Sequence, residues 1–293
     1  MNEERQSHAR REHPSTYFVQ DRFNEEELRR LQLQDEMLTT SMGGVLPEQP
    51  DPASFHRVLD VGCGTGGWLI EMARTYPTIQ KLIGVDVSAH MVAFARVQAH
   101  ATGVGDRVGF HGGDALRRID YPNGFFDLVN QRLGMSYVRV WDWSKLLQEY
   151  QRVTRSGGVI RITEASTITQ NNSPALTQIS AIAHKAYNHA GFLFSTEPES
   201  IIHKLAPLMT RHGIHDVQTK EYHLVYRAGT PEGHLFANDM AALFRVGLPF
   251  VHKWTRVPDD YDALRHQAIK EMQEPGFEAT WAFLTAWGHV SPR

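Results

Sequence analysis

Apolar and polar positions along the chain follow two patterns, short strand-like runs and helical repeats. Residues 57–61 (RVLDV) place apolar side chains around one acid and lead into a glycine-rich run, which is typical of a buried strand that ends in a tight turn. Residues 68–76 then have helical spacing. The same succession predicts strands over residues 81–87, 108–110, 125–130 and 159–163, with helices over 89–101 and 143–154. Strand and helix therefore alternate, which indicates an α/β fold with a doubly wound, mostly parallel sheet.

The two ends of the chain depart from this alternation. Residues 1–15 are almost wholly polar and predict a flexible tail. Between Tyr17 and Leu38, apolar residues recur at helical spacing, which predicts one or two amphipathic helices before the Gly43-Gly44 break. Beyond residue 165 the pattern predicts helices over 174–190, 198–212, 231–254 and 258–274, and strands over 215–226 and 279–290.

The glycine-rich run RVLDVGCGTGG predicts a ligand-binding loop at the end of the first strand. Gly62, Gly64 and Gly66 permit backbone conformations closed to other residues and let a ligand approach without meeting a Cβ atom. Asp86 stands at the carboxyl end of the next predicted strand. An acid in that place can accept hydrogen bonds from both ribose hydroxyls of a bound nucleoside. We therefore expect a ligand with a free ribose diol.

Two cofactor classes use such a loop. Gly62, Gly64 and Gly67 satisfy the dinucleotide pattern G-x-G-x-x-G, but that motif alone is weak evidence for NAD. Four motifs taken together resemble those of class I S-adenosylmethionine-dependent methyltransferases of the small-molecule type: LDVGCGTG, GVDVSAHM, GGDA, and FDLV followed by Asn130 and Gln131. The resemblance covers residues 55–165 and is specific as a set.

The resemblance implies a fold, a cofactor and a set of contacts. The expected fold is a seven-stranded Rossmann-like sheet with an antiparallel last strand and helical insertions that form a lid. The expected cofactor is S-adenosyl-L-methionine, with Asp86 at its ribose and Asp114 near the adenine amino group beside Ala115. The candidate cofactor-binding residues are Asp60, Gly62, Cys63, Gly64, Gly66, Asp86, Val87, Met91, Gly113, Asp114, Ala115, Asn130 and Gln131.

The sequence pattern and the resemblance together divide the chain into six expected segments. They are a flexible tail (1–15), an N-terminal helical cap (16–50), the S-adenosylmethionine-binding core (51–170), a helical lid segment with the sixth strand (171–230), a helical insertion (231–274) and the final antiparallel strand (275–293).

Composition and charge limit the kinds of partner that we expect for this protein. The chain has 293 residues, a net charge of -3 and 41% hydrophobic residues, which is ordinary for a globular protein and gives no electrostatic reason to expect nucleic acid. The single cysteine, Cys63, excludes a disulfide framework, and a packing role is expected for it. No apolar run approaches the roughly 18 residues of a membrane span, and the polar start lacks the apolar core of a signal peptide. We expect a cytoplasmic enzyme that acts on a small molecule, and a homodimer is left open.

Candidate catalytic residues come from three places in the chain. The residues after the strands that do not serve the nucleoside, Asn130, Gln131, Arg132 and Glu164, are left for the methionine end or the substrate. Tyr17 is expected to point into the pocket from the N-terminal segment. Among sixteen histidines, His189 is the first candidate for a general base. His184 and His189 are not spaced as in H-E-x-x-H, so no metal is expected.

Three functions remain open at this point. The first is a methyltransferase that acts on an oxygen, nitrogen or carbon atom of a small molecule, such as a secondary metabolite. The second is a cyclase or rearrangement enzyme that binds S-adenosylmethionine without using its methyl group. The third is an NAD-dependent oxidoreductase.

Overall fold

A computed structural model of the chain describes residues 16–19 and 23–291, so the tail predicted over 1–15 lies outside the described residues. The elements of the first half are α1 (Glu25–Ser41), β1 (Arg57–Val61), α2 (Gly67–Thr75), β2 (Lys81–Asp86), α3 (Ala89–Ala101), β3 (Val108–Gly112), β4 (Phe126–Arg132), α4 (Trp143–Val153) and β5 (Thr154–Ala165). Those of the second half are β6 (Gln170–Asn171), α5 (Pro174–His189), α6 (Ser200–Arg211), β7 (Ile214–Arg227), α7 (Pro231–Val246), α8 (Leu248–Trp254), α9 (Tyr261–Gln273) and β8 (Glu278–Val290).

One sheet runs through the molecule in the order β3-β2-β1-β4-β5-β8-β6, with β7 paired to β8. The pairs among β1 to β5 are parallel, and β8 is antiparallel to β5, β6 and β7. In this sheet only β8 is therefore reversed, which confirms the doubly wound, mostly parallel sheet and its antiparallel last strand. The sheet contains the seven expected strands and one further strand, β6, of two residues.

Alternate residues of the strands enter two separate cores. Leu59 and Val129 belong to the core that α4 and α6 cover, whereas their neighbours Val58 and Leu128 belong to the core under α2 and α3. Such burial on both faces is expected of a parallel sheet whose crossover helices lie on each side. It also explains why these strands have apolar residues in succession instead of a strict alternation.

Three element boundaries differ from the sequence pattern. The helix predicted over 231–254 is two helices, because the backbone breaks at Gly247 between α7 and α8. The helix predicted over 198–212 begins at Ser200 and keeps Pro207 inside it. The strand predicted over 159–163 begins earlier, at Thr154, through an irregular stretch of β5 in which Thr154 pairs with Phe126 but Val159 pairs with Leu128.

Five helices form a layer beyond the carboxyl ends of the strands, and we call them the helical cap: α1, α5, α7, α8 and α9. Within the cap, α1 packs on α7, and α5 packs on α8 and α9. None of the helices formed by residues 16–19 and 23–291 combines the length and apolar character that a membrane crossing requires.

Candidate active site

A cavity of about 340 Å³ lies between the carboxyl ends of the strands and the helical cap. Its floor comes from the loops that follow β1 to β5, and its roof from α1, α5, α7, α8 and α9. In a doubly wound sheet this edge is where ligands bind.

The loop after β1 has the conformation that its glycines predict. Gly62, Gly64 and Gly66 all have positive φ, at 69°, 51° and 78°. The Gly62 N–H donates to the carbonyl of Val85 at 2.8 Å, which ties the loop to β2. A Cβ atom on Gly62 would lie 2.4 Å from the Tyr137 hydroxyl, so both the backbone angle and the space require glycine there.

Asp86 lines the cavity at the end of β2. Its carboxylate accepts hydrogen bonds from the backbone N–H groups of Gly64 at 2.9 Å and Ser88 at 2.8 Å. One side chain therefore joins the glycine loop to the start of α3. This position is compatible with the predicted ribose contact, which remains a prediction.

Asp60 is buried beneath the glycine loop and also lines the cavity. Burial raises the pKa of Asp60 from 3.8 to about 7, although Arg132 and a hydrogen bond from Asn130 at 2.7 Å act in the opposite direction. The Asn130 carbonyl oxygen accepts in turn from Arg161 at 2.8 Å. Asn130 thus supports Asp60 from behind and, contrary to the predicted cofactor contact, does not itself line the cavity.

Gln131 and Glu164 likewise lie below the cavity wall. Glu164 is fully buried and accepts hydrogen bonds from the N–H groups of Gly134 at 2.8 Å and Met135 at 3.0 Å, and from the Gln131 amide at 3.1 Å. Burial raises the pKa of Glu164 to about 8, while these hydrogen bonds lower it. Glu164 therefore fixes the turn after β4 and does not face a substrate, and its prediction as a catalytic residue is not supported. The same correction applies to Gln131 as a cofactor contact.

The third group of predicted residues follows β3. Gly113, Asp114 and Ala115 line the cavity, as do the predicted contacts Val87 and Met91. The Asp114 carboxylate accepts from the backbone N–H of Leu116 at 2.9 Å, which shapes the turn. The adenine contact predicted for Asp114 remains a prediction.

Two residues of the glycine loop have packing roles. Cys63 is buried where it lines the cavity, and burial raises the pKa of its thiol, which disfavours the thiolate and agrees with the packing role expected. Gly66 does not line the cavity. A Cβ atom there would lie 2.5 Å from the Phe110 ring, so Gly66 allows α2 to approach the sheet instead of contacting the cofactor.

Tyr17 lines the roof of the cavity within a buried ionic cluster. Its hydroxyl donates to Glu27, and Arg30 donates to Glu27 at 2.7 Å and to Asp239 at 2.9 Å. Burial, and then the Glu27 carboxylate, raise the pKa of Tyr17 well above its usual value. Tyr17 is therefore a neutral hydrogen-bonding group, and a role for it as a base is not supported.

His189 does not take part in the site. Its side chain is exposed at the end of α5, where Nδ1 lies 2.8 Å from the carbonyl oxygen of Trp254, and it does not line the cavity. The prediction of His189 as the general base does not fit this position, and we do not retain it. Within residues 16–19 and 23–291, no group of three or more His, Cys, Asp or Glu side chains could hold a metal ion.

Besides the Glu27–Arg30 pair, the sequence pattern missed a second ion pair that lines the cavity. Arg132, at the end of β4, pairs with Asp35 of α1 beside the start of α2. Nothing in the local sequence connects two residues so far apart in the chain. Arg132, which the sequence left for the methionine end or the substrate, therefore has an ion-pair partner on α1.

The fold and the site together define the structural class of this protein. A parallel doubly wound sheet with a glycine loop after β1 and acids after β2 and β3 is a Rossmann-like nucleoside-binding domain.

Comparison with known proteins gives the family. Residues 58–158 match the family model described as a methyltransferase domain. Ajmaline N-methyltransferase of Rauvolfia serpentina is 36% identical over 40% of this chain and 38% of its own. Demethylmenaquinone methyltransferase of Geobacillus kaustophilus is 32% identical over 39% of this chain and 47% of its own. The chain thus spans less than half the length of these curated relatives.

A solved structure shows the same fold over a longer stretch. The YcgJ protein of Bacillus subtilis superposes with a TM-score of 0.51 at 17% identity, covering 81% of this chain and 93% of its own. Residues 58–158 therefore form a class I S-adenosylmethionine-dependent methyltransferase domain, the family that the four motifs predicted, and the cofactor of that family is S-adenosylmethionine.

Proposed function

We propose that this protein transfers the methyl group of S-adenosylmethionine to a small-molecule acceptor held under the helical cap. The observation that carries this proposal is the continuity of the cavity. The same space is lined by Asp86 and the glycine loop on one side and by Tyr17 and Tyr187 of the cap region on the other. A cofactor and an acceptor in this space would be in contact.

The arrangement suits the chemistry of methyl transfer. The sulfonium of S-adenosylmethionine is already a good leaving group, so the protein has mainly to align a nucleophile with the carbon–sulfur bond. Holding the two reactants about 3 Å apart can supply several kcal/mol. The cap covers this space with apolar side chains, among them Phe18, Met240 and Phe250, which keep water from the reacting centre.

The acceptor we propose is a mainly apolar compound with a flat ring. Phe18, Tyr187 and Phe250 form one aromatic group on the cap side, with ring centroids 5.3 Å apart for Tyr187 and Phe250 and 6.3 Å for Phe18 and Phe250. Aromatic side chains at these distances offer ring faces and edges to a planar ligand.

Calorimetry followed by product analysis tests the proposal. Titration of the full chain with S-adenosylmethionine and with its demethylated product should release or absorb heat, and titration with NADH should not. Incubation with S-adenosylmethionine labelled in its methyl group and a panel of aromatic alcohols, thiols and amines should give a labelled product. No heat with either sulfur compound would refute cofactor binding. Binding without any labelled product, together with an acceptor converted but not methylated, would favour the rearrangement enzyme instead.

Three expectations from the sequence remain proposals of their own. They are a cytoplasmic location, the lack of a nucleic-acid partner, and a homodimer as the assembly to test. Light scattering after size-exclusion chromatography decides the last, since a monomer would elute at the mass of one chain, 33.3 kDa.

A further inference from the structure

We propose that Thr167 and His184 form a proton relay that takes the proton from a hydroxyl group of the acceptor as that oxygen is methylated. This inference rests on the proposed function and adds a substrate class, compounds methylated on a hydroxyl oxygen. Thr167 is the group that touches the acceptor, and His184 acts through it as a positioning residue.

Thr167 is placed at the reacting end of the sheet. It follows β5 by two residues and lines the cavity together with Ala165 and Ser166. Its backbone N–H donates to the carbonyl of Pro198 at 3.1 Å, which holds the main chain in place. Thr167 therefore lies in the cavity wall at a fixed position, and the relay requires that its hydroxyl group be reached from the cavity.

His184 lies directly behind Thr167. It is on α5, its side chain is only 9% exposed, and it does not line the cavity. Its Nδ1 is 2.6 Å from the Thr167 hydroxyl oxygen, and its Nε2 is 2.9 Å from the carbonyl oxygen of Thr196. Both ring nitrogens thus have a partner within hydrogen-bond distance.

These partners assign the protons of the neutral imidazole. A carbonyl oxygen only accepts, so Nε2 must carry the hydrogen that is donated to Thr196. Nδ1 then bears a lone pair, and the Thr167 hydroxyl donates to it. The Thr167 oxygen keeps two lone pairs, each able to accept a hydrogen bond from an acceptor hydroxyl in the cavity.

The step balances without any further reactant. The acceptor oxygen forms a bond to the methyl carbon, the carbon–sulfur bond breaks, and its electron pair stays on sulfur. The acceptor proton moves to the Thr167 oxygen while the Thr167 proton moves to Nδ1 of His184. The resulting imidazolium donates from Nδ1 to Thr167 and from Nε2 to Thr196, and the Thr167 hydroxyl has a second acceptor in the Pro198 carbonyl at 3.3 Å.

Other side chains of the cavity are less suited to this task. Among the described residues that line it there is no histidine or lysine. Glu27 is paired with Arg30, and Asp35 is paired with Arg132. The other carboxylates that line the cavity, Asp60, Asp86 and Asp114, lie at the ends of β1, β2 and β3, where the cofactor is expected. On the acceptor side, a base can therefore serve the acceptor through another group, which is the role of Thr167.

Two probes of the same shape separate a proton relay from a merely structural contact. 2-Naphthol must lose a proton when its oxygen is methylated, whereas 2-naphthalenethiol is already largely ionised at mildly alkaline pH and needs no base. Labelled methyl transfer to each probe is measured with the full chain and with Thr167→Val, Thr167→Ser and His184→Gln. Thr210→Val and His203→Gln place the same changes at exposed positions of α6, outside the cavity.

The relay predicts a selective loss of turnover. Thr167→Val and His184→Gln should lower kcat for the naphthol by roughly 100-fold or more, the usual contribution of general base catalysis, with little change for the thiol. Thr167→Ser should retain most of the activity, and both α6 controls should match the unaltered chain. Cofactor affinity, measured by calorimetry, should be the same in all variants that fold.

Each contrary result has its own meaning. Equal losses with both probes would show a structural role and overturn the relay, and so would losses with neither. If the unaltered chain binds S-adenosylmethionine but does not methylate the naphthol, the hydroxyl assignment fails while the proposed function stands. If it does not bind S-adenosylmethionine, the proposed function itself fails.

Nitrogen NMR of the full chain with ¹⁵N-labelled histidine tests the proton assignment without any acceptor. The His184 signals are those missing in His184→Gln. They should report a hydrogen on Nε2 and a lone pair on Nδ1, and Thr167→Val should shift Nδ1 because its donor is lost. A hydrogen on Nδ1 in the neutral ring would overturn the relay.

Discussion

The protonation of Asp60 should control how tightly the cofactor binds between about pH 6 and pH 8. In the unliganded chain, burial raises the pKa of Asp60 to about 7, so the side chain is partly protonated at neutral pH. It lines the cavity beneath the glycine loop and is one of the predicted cofactor contacts. S-adenosylmethionine carries a sulfonium and an ammonium group, and both favour the ionised carboxylate. Binding should therefore release a proton, and affinity should rise with pH.

The size of the effect follows from the pKa. If only ionised Asp60 binds the cofactor, the apparent Kd is the intrinsic value divided by the ionised fraction, which is about one tenth at pH 6 and about nine tenths at pH 8. The apparent Kd should therefore be about tenfold higher at pH 6, a change of about 1.4 kcal/mol. At pH 7, binding should release about half a proton.

Isothermal titration calorimetry measures both quantities. Titrations at three pH values give the affinities, and titrations at pH 7 in two buffers of different ionisation enthalpy give the protons released. The control is Asp60→Asn, which keeps an oxygen that can accept from Asn130 but does not titrate. The ammonium group of the ligand titrates in both proteins, so the difference between them isolates Asp60. An equal pH dependence in both proteins would refute the assignment.

Three further substitutions have defined outcomes. Asp86→Ala should weaken cofactor binding in calorimetry by roughly 1–3 kcal/mol, since ribose hydroxyls lose their acceptor, and unchanged affinity in a folded variant would exclude that contact. Gly62→Ala should lower stability in urea more than Gly103→Ala does, because both have positive φ but only Gly62 faces a clash; equal losses would contradict this. His189→Ala should leave methyl transfer unchanged, and a fall in kcat would return His189 to the site.

The cavity-lining residues that follow β1, β2 and β3 could be predicted because their signals are local. The glycine loop, Asp86 and Asp114 each lie within a few residues of a strand end, and the strand pattern alone brings those ends to one edge of a parallel sheet. The positive φ of Gly62, Gly64 and Gly66 is likewise a property of the residues themselves.

The direction in which a side chain points could not be predicted where it depends on strand register. Asp60 pairs with Asn130, and Asn130 with Arg161, so the three side chains form one buried polar row across β1, β4 and β5. The sequence places Asn130 at a strand end but does not show whether it points to the cavity or along this row. Glu164 was misassigned for the same reason.

The histidine assignment failed because of helix geometry. His184 and His189 are five residues apart on α5, which places their side chains about 140° apart around the helix axis. One of them therefore packs against the segment that carries Thr196, and the other faces solvent. The partner of His184, a hydroxyl group after β5, is visible only when the chain is folded.

The ionic cluster between α1 and α7 determines how the roof of the cavity can open. Glu27 and Asp239 share the guanidinium of Arg30, and all three side chains are shielded from water. If α1 and α7 moved slightly apart, the ion pairs would break before water could reach the charged groups. An unpaired charge in the interior is strongly unfavourable. Graded loosening of α1 is therefore disfavoured, and this part of the roof should have two states, docked or fully released.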